Sequence, residues 1–485
     1  MNLRVYYDYR LSLRLCALAG AKLRTATLSL LCLLLLVQPV LPQTSTEPER
    51  EQLLNGLRLL LWPKPGSTEV LLKLRINSGS AFDLSGKSGQ MALLGDLLFP
   101  DPDTVDFFTG EMGGKLDVTV NYDSTTITLV GKASEFEPIV EVLRNALLAT
   151  QLTPEVITRI REARIKTLRD TAIAPALVAD RAIAARLFGD FPYGRLVNGT
   201  PEDLGRVDRA DLMLARERFL NSNNATLAIA GGVTRQRALR VLRQLLGPWR
   251  KSESIVPTTF RQPVAPDART LLVNVPGTAA EVRLAVRGVS RTDPDVFPAR
   301  VLAKVAEHRW QGLTPELAKQ PVFVRSQSHA LPGAFIMGTA VNAQTAPDAL
   351  ANAKKVMESL MTTAATTAEL ERAKTEITNE VTAVFAKPEF APDPWLDLDT
   401  YHLSAVQDQA ALLRSVTAQD LQRVANRLFK DAASASVVAG ETLQLKAALQ
   451  GRFQFEVLGE IATPTTTPTP TPRPAATPVK NDSPE

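Results

Sequence analysis

Few side chains in this chain could carry metal or acid–base chemistry, and they are unevenly placed. Histidine, which binds transition metals and moves protons near neutral pH, occurs three times, at His308, His329 and His402. Each reads as an ordinary surface or core histidine. The two cysteines, Cys16 and Cys32, lie near the N-terminus, so the body of the chain has neither a disulfide framework nor a thiolate metal site. Asp101 and Asp103 in PDPDTVD resemble part of a calcium loop, but the Gly and Glu that should follow fall at the wrong spacing. No phosphate-binding glycine loop or nucleophile elbow stands out. One stretch, SGQMALLGDLLFP at residues 88–100, reads as a short buried helix with a single acid, Asp96, and neither His nor Glu.

The elements around that stretch are mixed. Leu72, Leu74 and Ile76 alternate with Lys73, Arg75 and Asn77, the period of a half-buried strand. Residues 116–120 and 126–130 alternate likewise on either side of turn-forming NYDST, which predicts a hairpin. Val282, Leu284 and Val286 alternate with Arg283, Ala285 and Arg287, and helix-period segments cover residues 154–170 and 368–386. This patterning predicts an α+β fold of mostly antiparallel sheets, each with helices on one face and water on the other.

The body is also duplicated. ADLMLARERFLNSNNATLAIAGG (210–232) matches QDLQRVANRLFKDAASASVVAGE (419–441), with Asp211 on Asp420, Leu212 on Leu421, Arg218 on Arg427 and Gly231 on Gly440 at one offset of 209 residues. Thr153-Pro154-Glu155-Val156 echoes Thr367-Ala368-Glu369-Leu370 upstream. Two collinear echoes predict homologous domains at 50–247 and 264–458, joined by a Pro/Ser-rich linker at 248–263.

Here a family resemblance enters. NGLRLLLWPKPGSTEVLLKLRINSGSAFDLSGKSGQMALLGDLLF (55–99) resembles the N-terminal signature of the pitrilysin/insulinase family of zinc metallopeptidases, which includes mitochondrial processing peptidase and its complex III core relatives. The matching residues are Asn55-Gly56-Leu57, Gly79-Ser80, Asp83, Gly86 to Gly89 and Leu97-Leu98-Phe99. Gly113-Gly114, Pro192-Tyr193-Gly194, Gly199-Thr200 and the segment from Asn224 to Gly232 continue the match, which covers about residues 50–455. The resemblance implies a clamshell of two α+β halves around a chamber. It also implies where chemistry should sit. Active members carry H-x-x-E-H on the short helix, two zinc ligands flanking a general base. Ungapped alignment puts Ala92, Gly95 and Asp96 at those places, so the motif is degenerate. The third ligand, a Glu on a later helix, falls near Lys166 or Thr167, with Glu162 nearby. A substrate-carbonyl clamp of Arg and Tyr maps to Ala318 and Phe323, with Arg325 as the nearest substitute. The reading is therefore of no catalytic residues, no metal site and no cofactor, although the family uses zinc. The rival is a peptidase with displaced ligands, Asp96 with Glu162 or Glu111, a carboxylate set better suited to calcium or magnesium.

A basic segment precedes the apolar run TLSLLCLLLLVQPVL at 27–41. That run is shorter than the about 20 residues of a membrane span. Residues 1–42 read as an export signal with a poor cleavage site, and membrane anchoring by 27–41 is the alternative. Residues 462–485 read as a disordered Thr/Pro-rich tail. A net charge of +4 over 485 residues is too diffuse for nucleic acid. The expectation is an exported, periplasmic or extracytoplasmic, non-catalytic subunit that pairs with a zinc-bearing homologue and lends it chamber wall and peptide contacts. A stand-alone clamshell that binds extended peptides, or plays a structural part, is the alternative.

Overall fold

The computed structural model describes residues 47–459 apart from 171–173, 278 and 314–321. The expected export segment, the Thr/Pro tail and Ala318 lie outside the described residues. From Pro48 onward the chain forms one compact unit.

Two six-stranded sheets organise it. The first holds β1 (Glu49–Gln52), β2 (Arg58–Pro63), β3 (Glu69–Ile76), β4 (Lys115–Val120), β5 (Thr125–Lys132) and β6 (Ala225–Gly231), in the order β1-β2-β6-β3-β5-β4. The second holds β7 (Thr270–Asn274), β8 (Ala279–Arg287), β9 (Val322–Ser326), β10 (Ala334–Asn342), β11 (Ala435–Gly440) and β12 (Phe455–Val457), in the order β12-β7-β11-β8-β10-β9. In each sheet the central strand, β3 or β8, is antiparallel to both neighbours; the first sheet has one parallel pair, β2–β6, and the second has two, β7–β11 and β7–β12. No helix or strand forms between Leu245 and Thr270.

The helices that matter below are α1 (Gln90–Asp96), α2 (Pro154–Asp170), α3 (Pro175–Phe188), α4 (Arg209–Phe219), α5 (Thr367–Phe385), α6 (Asp393–Thr400) and α7 (Ala418–Phe429). The repeated Asp211 and Asp420 have a local cause. Each is the third residue of its helix and closes a capping box, with Asp208 on α4 and with Thr417 on α7. Leu72, Leu74 and Ile76 point into the first core with Leu212 and Phe219 of α4. Val282, Leu284 and Val286 do the same in the second, with Leu421 and Leu428 of α7.

The faces expected to be wet are covered. Lys73 and Arg75 are 5% and 9% exposed, because α6 of the second half lies across the first sheet. Lys73 Nζ sits 2.6 Å from Asp393, and Arg75 reaches Asp393 and Asp397 at 2.7 Å each. Reciprocally, α3 of the first half crosses the second sheet, with Ala179, Ile183 and Leu187 packed on Leu271, Val273 and Val437. There Arg283, 1% exposed, meets Asp180 at 2.5 Å and Glu281 at 2.9 Å. Lys73 faces Ala228 on β6 and Arg283 faces Val437 on β11, positions separated by the duplication offset of 209 residues. The two cations are therefore equivalent, and each half covers its twin with a helix that brings a carboxylate to the buried cation. Burial lowers the Lys73 pKa, and Asp393 opposes the shift. The period-2 pattern reported which way these side chains point and not what covers them.

Removing Arg75 takes one cation from this buried cluster and leaves Asp393 to Lys73 and Asp397 to Arg291. Arg75→Met is expected to destabilise the fold by about 2 kcal/mol through its lost charged hydrogen bonds, read as a lowered urea midpoint with unchanged slope. A midpoint equal to that of the unaltered protein would show that the interface does not depend on this charge.

Candidate functional site

The degenerate helix α1 is held by a frame that involves no metal. Asp83 lies outside the helix, yet its carboxylate accepts from Gly89 N at 2.7 Å and Met91 N at 2.8 Å, capping the otherwise orphaned N-terminus. Gln90 donates to Asp211 O at 2.9 Å, and Lys87 pairs with Asp211 at 2.5 Å. Gly89 and Gly199 both have positive φ, and each sits where a Cβ would meet backbone: 2.8 Å from Asn198 O and 2.3 Å from Ser88 O, respectively. Arg195 reaches the Asp83 carbonyl at 2.5 Å. Asp83, Lys87, Gly89 and Gly199 are among the residues that carried the family match, and they act here through backbone bonds, close packing and one ion pair.

Inside that frame the three motif positions offer little chemistry. Ala92 is buried, and its methyl group has no lone pair. Gly95 packs against edge strand β4, where a Cβ would lie 3.3 Å from Val120 and 3.4 Å from Val118. Asp96 keeps a partly exposed carboxylate, and Arg164 of α2 donates to it at 2.6 Å. The same guanidinium donates to Asn198 Oδ1 at 3.0 Å and to Asn198 O at 3.4 Å.

Counting along the sequence pointed to Lys166 or Thr167 as the residue facing α1, and the structure places Arg164 there instead. Lys166 is exposed and paired with Asp170, and the Thr167 hydroxyl donates back to Ala163 O. Glu162 and Glu111 are both exposed, and neither pairs with Asp96. Arg164 was missed, although its helical phase was available: Ile157, the buried residue of α2, and Arg164 share one face.

The residues present do not fit zinc. One carboxylate, already paired with a guanidinium, makes no tetrahedral site. Among the described residues no three His, Cys, Asp or Glu side chains converge to hold a metal ion.

The second expected feature is also altered. Phe323, half-buried on edge strand β9, has the guanidinium groups of Arg283 and Arg325 at 4.9 Å and 4.1 Å from its ring centre. Arg325 lies 3.9 Å from Asp180. The histidines sit elsewhere. His308 bonds Glu376 at 2.9 Å, His329 packs on Tyr122 and Tyr193 beside Asp123, and His402 occupies a turn with φ of 53°. Beside α1, β4 ends the first sheet with Lys115, Asp117 and Thr119 exposed and Leu116, Val118 and Val120 turned to the core.

Residues 206–377 match the family model described as the peptidase M16 inactive domain. The chain is 22% identical over 51% of its length to a probable mitochondrial-processing peptidase subunit beta of Arabidopsis thaliana, covering 48% of that protein. It is 24% identical over 42% of its length to human cytochrome b-c1 complex subunit 1, covering 44% of it. The chain thus spans about half the length of the curated relatives it matches. A crystal structure of a peptidase M16 inactive domain from Pseudomonas fluorescens superposes with a TM-score of 0.71 at 18% identity, covering 81% of this chain and 98% of that one. At that identity the superposition establishes the fold.

The frame makes a pH prediction. Burial raises the Asp83 pKa from 3.8 to about 7, against the opposing pull of the Met91 and Gly89 N–H groups and Arg195. The folded value exceeds the unfolded one, so stability is fully present below about pH 4 and lost as pH rises through about 7. The loss is on the order of 4 kcal/mol. Urea midpoints of the unaltered protein are expected to fall more steeply across that window than those of Asp83→Asn. Parallel profiles would remove Asp83 as the cause.

Proposed function

The chain is a homologue of the M16 peptidases, and on that premise we propose that it is a non-catalytic subunit of a pitrilysin/insulinase-type peptidase. It lends chamber wall and peptide contacts to a zinc-bearing partner chain. One observation carries the reading. The frame of Asp83, Gly89 and Gly199 is intact, while the positions it presents are a methyl group, a bare glycine and a carboxylate neutralised by Arg164. A fold kept without its ligands fits a chain whose chemistry is brought by a partner.

Three further points support it. The relatives above are named as subunits of larger assemblies. The sheet faces inside this chain are filled by α3 and α6, so a chamber requires a second chain. The free edge of β4 beside α1 suits an extended peptide added as a further strand. Export is part of the proposal and rests on the basic and apolar residues of 1–42. The same free edge favours a second reading, a stand-alone peptide-binding protein.

Affinity purification of the full chain from its native cells tests the proposal. It should bring down a homologous chain carrying H-x-x-E-H, and the isolated chain should hold no zinc and cleave no unfolded casein. Chelator-sensitive cleavage by the pure chain would overturn the reading. Tight peptide binding by a chain that always purifies alone would favour the second one.

A further inference from the structure

We propose that Arg164 is a built-in cation that locks the degenerate site against metal, rather than a bystander next to lost ligands. The inference rests on the non-catalytic reading and deepens it. The guanidinium bonds Asp96 at the C-terminal end of α1 and two acceptors of Asn198, while belonging itself to α2. It therefore ties three separate segments together, the mechanical task that a metal shared between two helices would perform. The tie is rigid for chemical reasons. Arginine stays charged at all working pH values and offers a planar fork of donors. Its side chain is 15% exposed, against 39% for Asp96, so the cation is the more enclosed partner. The Asn198-Gly199 turn lies close against the start of α1, since a Cβ at Gly199 would meet Ser88 O at 2.3 Å and Gly89 Cα at 3.0 Å.

A divalent ion brought to Asp96 would have to displace a fixed positive charge in hydrogen-bond contact with the same carboxylate. Like charges at that range, partly shielded from water, repel strongly. The site is thus closed twice, by missing ligands and by a resident cation. Restoring ligands alone does not reopen it.

The test uses the full chain and zinc itself as the probe. Ala92→His beside the native Asp96 places two ligands on one face of α1, leaves the Arg164 contact in place and does not touch the crowded Gly95. This variant is compared with the same variant plus Arg164→Met, which removes the charge and adds no carboxylate. Zinc affinity by titration calorimetry should rise at least about 100-fold when Arg164 is removed. Affinities within about tenfold of each other would overturn the lock. If either histidine variant fails to fold, hydrogen exchange on Arg164→Met in the otherwise unaltered chain decides. Faster exchange together in α1, α2 and the Asn198 turn supports the tie, and unchanged exchange in those segments overturns it. Stoichiometric zinc in the unaltered chain would instead sink the non-catalytic reading, which keeps the two failures apart.

Discussion

The structure depends on a pair of reciprocal ionic contacts made by cations buried on the covered faces of the two sheets. Lys73 and Arg75 on the first sheet grip Asp393 and Asp397, and Arg283 on the second sheet grips Asp180. Neither set of cations could be buried alone, since an unpaired charge in a protein interior costs several kcal/mol. Each sheet therefore needs the carboxylates that a helix of the other half brings to it, and the duplicated units are interdependent. Apolar contacts complete the same interface. Ile183 and Leu187 pack on Val273 and Val437 in one place, and Trp395 and Leu396 pack on Leu60 and Ala228 in the other.

The short helix α1 is positioned in the same way, by contacts within the chain. What positions α1 is a buried carboxylate on backbone N–H groups, two glycines in close backbone contact, and the Lys87–Asp211 pair. None of these uses a metal. The frame holds α1 in place around Ala92 and Gly95, and Arg164 links α1 to α2. The guanidinium also bonds Asn198, so the Asp96 carboxylate is paired and the turn anchored.

Local pattern made a large part of this legible in the sequence. Alternation located β3, β4, β5 and β8, because successive strand side chains point to opposite faces. The echo of Asp211 in Asp420 exposed the duplication, because both cap a helix of the same design. The emptied motif was also legible, since Ala and Gly lack donor atoms wherever the fold puts them.

The sequence by itself determined which side chains share a face and which positions lack ligands, since both depend on residue type and spacing within a few residues. Tertiary structure alone decided what meets those faces. Arg164 is 68 residues from Asp96, and Arg75 is 322 residues from Asp397. No periodicity reaches that far. Lys73 and Arg75 therefore looked like a solvated edge until a helix from the other half brought carboxylates to them. For the same reason Asp96 looked like a solitary acid until α2 laid a guanidinium against it.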